Sequence, residues 1–257
     1  MKRNPLGLAM LAAATAMAFA IGACTNGGAP AEAAGSVVPL KEAKLIIEHN
    51  ATDNDTGFQG FVDSEGWETM ELRGPGGRVL QFDAKKTSLG KLGLTELFFE
   101  TVEPENVDVS IAQMLAKLPQ GRYTYTGKGM ENGESTGRLA GSLQFSHTIP
   151  AGPKLLAPAE GSKIPITGQV ASWGAVTTTI SGGSVTIIAY QLIIQKDSPP
   201  HAAMIGKFGL SIYLPPTVTS IAIPDGFLEA GTAYDWEVLA IEQGGNQTLS
   251  SGKFTTR

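Results

Sequence analysis

Two carboxylates stand two residues apart in a segment rich in turn-forming residues, Asn50–Gly57. A tight turn could make the side chains of Asp53 and Asp55 converge, and carboxylate oxygens are the hard ligands that Ca²⁺ requires. Glu48 or Asp63 could complete such a site. The alternative is a turn in which Asn and Asp side chains only bond their own backbone. The segment therefore predicts either a Ca²⁺ site at Asp53 and Asp55 or a structural turn.

A second group of acidic residues surrounds an apolar segment that ends near residue 102. Its members are Glu96, Glu100, Glu103, Glu105 and Asp108. Two carboxyl groups about 5–10 Å apart can act as acid and base in glycoside hydrolysis. On an extended strand, Glu96 and Glu100 would share one face and would point to water if the alternate residues point inward. The pattern leaves two interpretations, a solvated face and a hydrolytic pair.

Other motifs of catalysis are missing from the sequence. The three histidines, His49, His147 and His201, are scattered, and there is neither a His-Glu-x-x-His nor a Gly-x-Ser-x-Gly motif. No glycine-rich loop stands between a predicted strand and a predicted helix, which argues against a nucleotide site. We therefore expect a protein that is not an enzyme and that needs no cofactor, the possible Ca²⁺ apart.

Composition excludes further classes of protein. The 257 residues carry a net charge of −5 with no basic block, which argues against a nucleic-acid partner. One cysteine rules out a disulfide scaffold and a thiolate metal cluster. With 32 Gly and 15 Pro, the chain favours many turns and short strands, and its length suits two domains or one large β domain.

The N-terminal residues indicate export from the cytosol. Lys2 and Arg3 precede an uncharged run, Leu6–Ala23. A run of about 18 apolar residues could just span a bilayer, but the positive start and the small residues at its end favour a cleaved signal. The segment Ile21–Cys24 reads Ile-Gly-Ala-Cys and resembles the lipobox of bacterial lipoproteins.

This resemblance implies that the thiol of Cys24 receives a diacylglycerol, that residues 1–23 are removed and that the new amine is acylated. An ordinary secretory signal with an incidental cysteine is the alternative. Cys24 is the sole cysteine, which favours the lipoprotein. Thr25 replaces the Asp that often retains such proteins on the inner membrane, so in an envelope with two membranes we expect a lipid anchor in the outer one, with the chain periplasmic or surface-exposed. Residues 24–38 are small and polar and predict a flexible tether.

Residues 39–150 predict a β-sandwich of unrecognised type with about seven strands. The predicted strands are Lys44–His49, Gly57–Val62, Trp67–Arg73, Arg78–Asp83, Leu94–Val102, Arg122–Gly127 and Leu139–His147. The segment Arg73–Arg78 predicts a hairpin turn because it contains Pro and three Gly. Apolar residues at spacings of three and four predict one helix over Val109–Leu118, ended by Pro119. The segment Leu118–Gly127 places Leu, Gly and Tyr as an immunoglobulin-like sandwich does.

Residues 151–257 resemble a fibronectin type III domain. Trp173 stands where that family buries a tryptophan, and Tyr190 begins a segment similar to its third strand. Leu228–Val238 is similar to the family pattern L-x-x-G-T-x-Y-x-x-x-V, which implies a tyrosine corner at Tyr234 with Leu228 filling the core. The long segment Ser198–Pro216 departs from the pattern and predicts an extra surface loop. The chain is thus expected to be all-β, with two tandem β-sandwich domains after a signal peptide and linker.

Exposed aromatic rings are the remaining way for a β-sandwich to form a binding face. The candidates in the first domain are Phe58, Phe61, Trp67, Tyr123 and Tyr125. Aromatic residues make up only 7% of the chain, however, and we expect most of them to be needed for the two cores. The leading hypothesis is a non-enzymatic interaction or spacer module in the cell envelope, with an envelope protein or polysaccharide as partner. The alternative is a protein that binds or hydrolyses polysaccharide through the first domain.

Overall fold

A computed structural model describes residues 37–257 of the chain. The predicted signal peptide, Cys24 and all but the last two residues of the predicted tether lie outside this range. Among the described residues, no helix combines the length and the apolar character needed to cross a membrane.

Two units of β-strands follow one another, and the all-β prediction is confirmed. The elements of the first unit are β1 (Val37–Pro39), β2 (Glu42–Asn50), β3 (Asp55–Gly74), β4 (Gly77–Asp83), α1 (Ser88–Leu92), β5 (Leu94–Glu100), α2 (Ile111–Leu115), β6 (Gly121–Glu131) and β7 (Glu134–Phe145). The second unit contains β8 (Leu155–Ala157), β9 (Ser162–Ile164), β10 (Val170–Trp173), β11 (Ile187–Lys196), β12 (Gly209–Leu214), β13 (Ser220–Ala222), β14 (Ala233–Glu242) and β15 (Gln247–Thr256). The predicted boundary at residues 150 and 151 lies between β7 and β8.

One sheet runs through both units. Its strand order is β1-β7-β6-β3-β2-β15-β14-β11-β12, with β4 and β5 also paired to β3 and β9 paired to β15. A separate three-stranded sheet, β13-β10-β8, closes the second sandwich. The two units are therefore joined by main-chain pairing between β2 and β15 as well as by the connecting segment.

The long strand β3 corrects the prediction of two separate strands over Gly57–Val62 and Trp67–Arg73. Its first part pairs with β2 and β5, and its second part pairs with β4 and β6. The register shifts between Asp63 and Trp67, where a Cβ added at Gly66 would lie 2.2 Å from the Met130 carbonyl oxygen. Glycine therefore lets one strand bend at the point where its pairing partners change.

The local predictions for turns and helices were partly correct. Gly74 pairs with Gly77 across the predicted hairpin turn. The predicted helix is shorter than expected, because α2 covers only Ile111–Leu115 and begins after a capping box formed by Ser110 and Gln113. The short helix α1 was not predicted. Within the predicted loop Ser198–Pro216, the apolar segment Gly209–Leu214 forms strand β12.

The five aromatic candidates of the first domain lie mostly in the core of the first unit. Phe58, Trp67, Tyr123 and Tyr125 are buried, as expected for core residues, so these four cannot form an exposed binding face, and Phe61 is half-buried. The Tyr123 hydroxyl donates to the Pro119 carbonyl oxygen at 2.8 Å. These rings fill the first core rather than present a flat surface to a ligand.

The core of the second unit has the predicted fibronectin type III geometry. The Tyr234 hydroxyl accepts from the Glu229 N–H at 2.9 Å, and Leu228 is buried, which is the predicted tyrosine corner. Trp173 and Tyr190 are buried with their ring centroids 5.6 Å apart. The Tyr190 hydroxyl also accepts from the Val176 N–H at 2.8 Å. This domain therefore has a fibronectin type III-like fold.

Candidate functional site at the domain junction

The junction between the two units begins with a short parallel pairing. Strand β15 places Gln247, Thr248 and Leu249 beside Glu48, His49 and Asn50 of β2. The Thr248 hydroxyl donates to the Pro150 carbonyl oxygen. Because the last strand of the second unit adds directly to the first, the two units share backbone hydrogen bonds.

The side chain of Asn246 fixes this junction. It is 1% exposed, and its Oδ1 accepts from the Ile47 N–H at 2.8 Å. Its Nδ2 donates to the carbonyl oxygens of Thr148 at 2.8 Å and Ser146 at 3.1 Å. Asn246 lies in a turn of the second unit, and its one side-chain amide thus provides hydrogen-bond partners for main-chain groups of β2 and of the segment that connects the units.

Three carboxylates meet next to this pairing. Glu48 lies on β2, Glu100 ends β5, and Glu103 follows in the next loop. One oxygen from each lies within 4.8 Å of the others. Strand pairing explains the approach, since Glu48 of β2 lies opposite Gly57 of β3 and Glu100 of β5 lies opposite Gln59. Gly57 and Gln59 are two residues apart, so the side chains of Glu48 and Glu100 share one face of the sheet.

Two amide side chains orient the carboxylates. Gln247 donates from its Nε2 to Glu48, which ties the cluster to the second unit. Gln59 donates from its Nε2 to Glu100 Oε1 at 2.9 Å. Glu103 Oε1 is buried and has no hydrogen-bond partner among the described residues. A Cβ at Gly57 would lie 2.6 Å from Glu103 Cγ, so the absence of a side chain there makes room for Glu103.

Burial dominates the electrostatics of the cluster. Burial is the main cause that raises the pKa of Glu48 to about 7; the hydrogen bond from Gln247 opposes the rise, and the nearby charges of Glu100 and Glu237 add to it. Burial also raises the pKa of Glu103 to about 8, with added repulsion from Glu48, Glu100 and Asp55. Near neutral pH the cluster therefore holds protons that isolated carboxyl groups would have released.

Such a cluster has two chemical capacities. Neighbouring carboxylates of unequal pKa could act as proton donor and acceptor. Three carboxylate oxygens at this spacing could also surround a hard divalent cation, which would relieve their mutual repulsion. Both capacities involve Glu48, Glu100 and Glu103.

The Asp53–Asp55 segment is organised by its own hydrogen bonds. Asn50 Oδ1 accepts from the N–H groups of Thr52 at 2.9 Å and Asp53 at 3.0 Å, and Asn50 Nδ2 donates to Asp53. These are the contacts of the structural turn that was the alternative to a Ca²⁺ site. Burial raises the pKa of Asp55 to about 6, with repulsion from Asp53 and Glu105. Neither Asp53 nor Asp55 belongs to the three-carboxylate group, and Ca²⁺ binding by this segment stays a prediction.

The predicted acidic group of the first domain is divided by the structure. Glu100 and Glu103 enter the cluster, whereas Glu96, Glu105 and Asp108 are exposed. Glu48 was considered only as a partner of Asp53 and Asp55, and its approach to Glu100 depends on the β2–β3–β5 pairing. The roles of Gln247 and Asn246 were missed, because nothing in their local sequence shows that β15 pairs with β2.

No family model and no curated protein matches this sequence. Among solved structures, a two-domain fibronectin type III segment of chicken tenascin is 10% identical, with a TM-score of 0.28, and covers 84% of this chain and 98% of its own. The FN1–FN3 domains of chicken CNTN1 are 12% identical, with a TM-score of 0.30, covering 86% and 65%. A tandem-repeat segment of a large adhesion protein is 10% identical, with a TM-score of 0.27, covering 83% and 49%. The fibronectin type III-like description of the second unit rests on its tyrosine corner and its buried Trp173 and Tyr190.

Proposed function

We propose that this protein is a membrane-anchored envelope lipoprotein that serves as a non-enzymatic interaction and spacer module. The observation that carries the proposal is the locked junction, in which β2 pairs with β15 and Asn246 bridges both units. Independent domains on a flexible linker would move relative to one another, whereas a shared sheet holds them in one orientation. A module of this kind would present the loops of its two units to an envelope protein or polysaccharide at a fixed spacing from one another.

Rigidity can be measured by pulsed electron paramagnetic resonance. Spin labels on Glu134→Cys and Thr217→Cys, both at exposed positions in different units, report the distance between the units. We expect a narrow distance distribution that broadens in Asn246→Ala. A broad distribution in the otherwise unchanged chain would contradict a rigid spacer.

The anchor rests on the lipobox resemblance at Cys24. Mass spectrometry of the membrane-extracted protein should show a chain that begins at Cys24 and carries acyl groups. An unmodified thiol at Cys24 would refute the lipoprotein part of the proposal. It would not affect the rigid-spacer part, which the distance measurement tests.

The raised pKa values of Glu48 and Glu103 favour one second candidate, a polysaccharide hydrolase. The two best-formed depressions of the described residues have volumes of about 190 and 220 Å³ and lie away from the cluster. Both are smaller than the roughly 300 Å³ of ordinary ligand sites. Release of reducing sugar from envelope polysaccharide, lost in Glu103→Gln and kept in Glu96→Gln, would establish the hydrolase and refute the non-enzymatic module.

A further inference from the structure

Strand β12 ends the long sheet on the side of the second unit. It pairs on one side with β11, from Gln195↔Gly209 to Tyr190↔Leu214, with no shift in register. Within residues 37–257, no strand pairs with its other side. An edge strand of this kind presents main-chain donors and acceptors that another strand can use.

The main-chain groups that face outward can be assigned. The Lys196 N–H donates to the Phe208 carbonyl oxygen at 3.0 Å, so the main-chain groups of residue 208 face β11. Main-chain groups alternate sides along an antiparallel strand. Those of Leu210, Ile212 and Leu214 therefore face β11, and those of Ser211 and Tyr213 face away from it.

This edge lacks the features that usually prevent strand addition. Gly209–Leu214 contains no charged residue, no proline and no bulge. The strand and the loop before it also expose large apolar side chains, with Ile205 79%, Phe208 54% and Tyr213 61% exposed. Pro215 and Pro216 follow the strand directly, so an added strand would pair only within Gly209–Leu214.

The sequence of the strand is complementary to itself. Antiparallel pairing of two copies about Ile212 would place Leu210 opposite Leu214 of the second copy and Ser211 opposite its Tyr213. On one face, Leu210, Ile212 and Leu214 would then contact like side chains. On the other face, each large tyrosine ring would lie beside a small serine, and the outward main-chain groups of Ser211 and Tyr213 would bond reciprocally.

The charges beside this edge would not oppose such a pairing. Lys196 is paired with Glu229, and Lys207 Nζ lies 3.6 Å from Asp235. The charges of Lys44 and Glu48 also act on Tyr213, and Lys44 is paired with Glu42 at 2.6 Å. Two copies related by a twofold axis would therefore meet through an uncharged strand whose neighbouring lysines already have acidic partners. A like-charged edge would have repelled its own copy.

We propose that two copies of this protein associate through antiparallel pairing of their β12 strands, with the twofold axis at Ile212. The interface is isologous, since the same strand serves both copies. It extends the shared sheet from one molecule into the next and covers the apolar side chains of the edge. The association is independent of the spacer function and of the anchor at Cys24.

Sedimentation equilibrium of the full chain in density-matched detergent tests this inference. The unsubstituted protein should show a concentration-dependent dimer. Tyr213→Lys places two cations near the axis and should raise the dissociation constant about tenfold or more. Tyr213→Pro removes an outward N–H that the monomer does not use, and it should have the same effect.

The matched control is Val170→Lys, at a position 44% exposed on β10 of the other sheet. It should dimerise as the unsubstituted chain does, and the thermal unfolding of every variant shows whether it remains folded. Sharing of one micelle by two lipid anchors would affect all four proteins equally, so only a loss confined to the Tyr213 variants supports the pairing. A monomer at every concentration, or a dimer unchanged by both Tyr213 substitutions, would overturn it.

Discussion

Replacement of Asn246 by alanine should lower the free energy of unfolding and uncouple the unfolding of the two units. The substitution leaves three groups without a partner, the Ile47 N–H and the carbonyl oxygens of Thr148 and Ser146. A buried polar group that loses its partner costs about 1–3 kcal/mol. Some of these groups can reach water once the side chain is gone, so we expect a loss of about 3 kcal/mol in the free energy of unfolding.

The shape of the unfolding transition is the more specific measurement. With the junction intact, the two units should unfold together in urea, followed by tryptophan fluorescence and by far-ultraviolet circular dichroism. In Asn246→Ala the two signals should separate, because the remaining pairing of β2 and β15 covers only three residues on each strand.

Two further variants make this test decisive. Asn246→Asp keeps the shape and an acceptor for Ile47 but turns a carboxylate oxygen toward two carbonyls, so it should destabilise at least as much. Gln169 is half-buried, but its side-chain amide makes a single, exposed hydrogen bond, to the Thr167 carbonyl, so Gln169→Ala should change stability by less than about 0.5 kcal/mol. An Asn246→Ala protein as stable as Gln169→Ala, with coincident transitions, would refute the assigned role.

Three other predictions concern pH, calcium and the tyrosine corner. Because burial raises the pKa of Glu48 to about 7 and that of Glu103 to about 8, the folded state binds more protons than the unfolded chain above about pH 5. A pKa difference of one between the folded and unfolded states corresponds to about 1.4 kcal/mol, so stability should fall by several kcal/mol as pH rises to 8.5, with the partly exposed Glu103 contributing less than its full shift. Calorimetry should show a smaller fall in Glu103→Gln. If Asp53 and Asp55 bind Ca²⁺, millimolar Ca²⁺ should raise the melting temperature, and Asp53→Asn should remove that rise; an unchanged melting temperature excludes the site. Tyr234→Phe leaves the Glu229 N–H unpaired and should cost about 1–2 kcal/mol in urea unfolding, whereas an unaltered midpoint would contradict the corner's contribution.

The sequence predicts local features of this fold well because local residues determine them. The hairpin turn after Gly74 depends on Pro75 and Gly76, and the tyrosine corner depends on residues within one short segment. The bend of β3 could not be predicted in the same way. Gly66 is needed there because the Met130 carbonyl approaches it, and that approach exists only in the folded chain.

The candidate site was harder to predict because its members are far apart in the chain. Glu100 and Glu103 stood out as an acidic group, but their neighbour Glu48 is brought to them across β3. Asn246 and Ile47 are separated by 199 positions, and nothing near either residue predicts their hydrogen bond. Residue spacing reports contacts within an element, whereas these contacts depend on which strands become neighbours.

The pairing of β2 with β15 also limits when the first unit can finish folding. During synthesis or export from the N-terminus, β2 (Glu42–Asn50) emerges long before β15 (Gln247–Thr256). Until β15 arrives, the segment Glu48–Asn50 has an open side, and the acidic cluster lacks the amide of Gln247. Chains shortened at the C-terminus would keep that open side permanently, which makes them candidates for aggregation and proteolysis even when the first unit is otherwise intact.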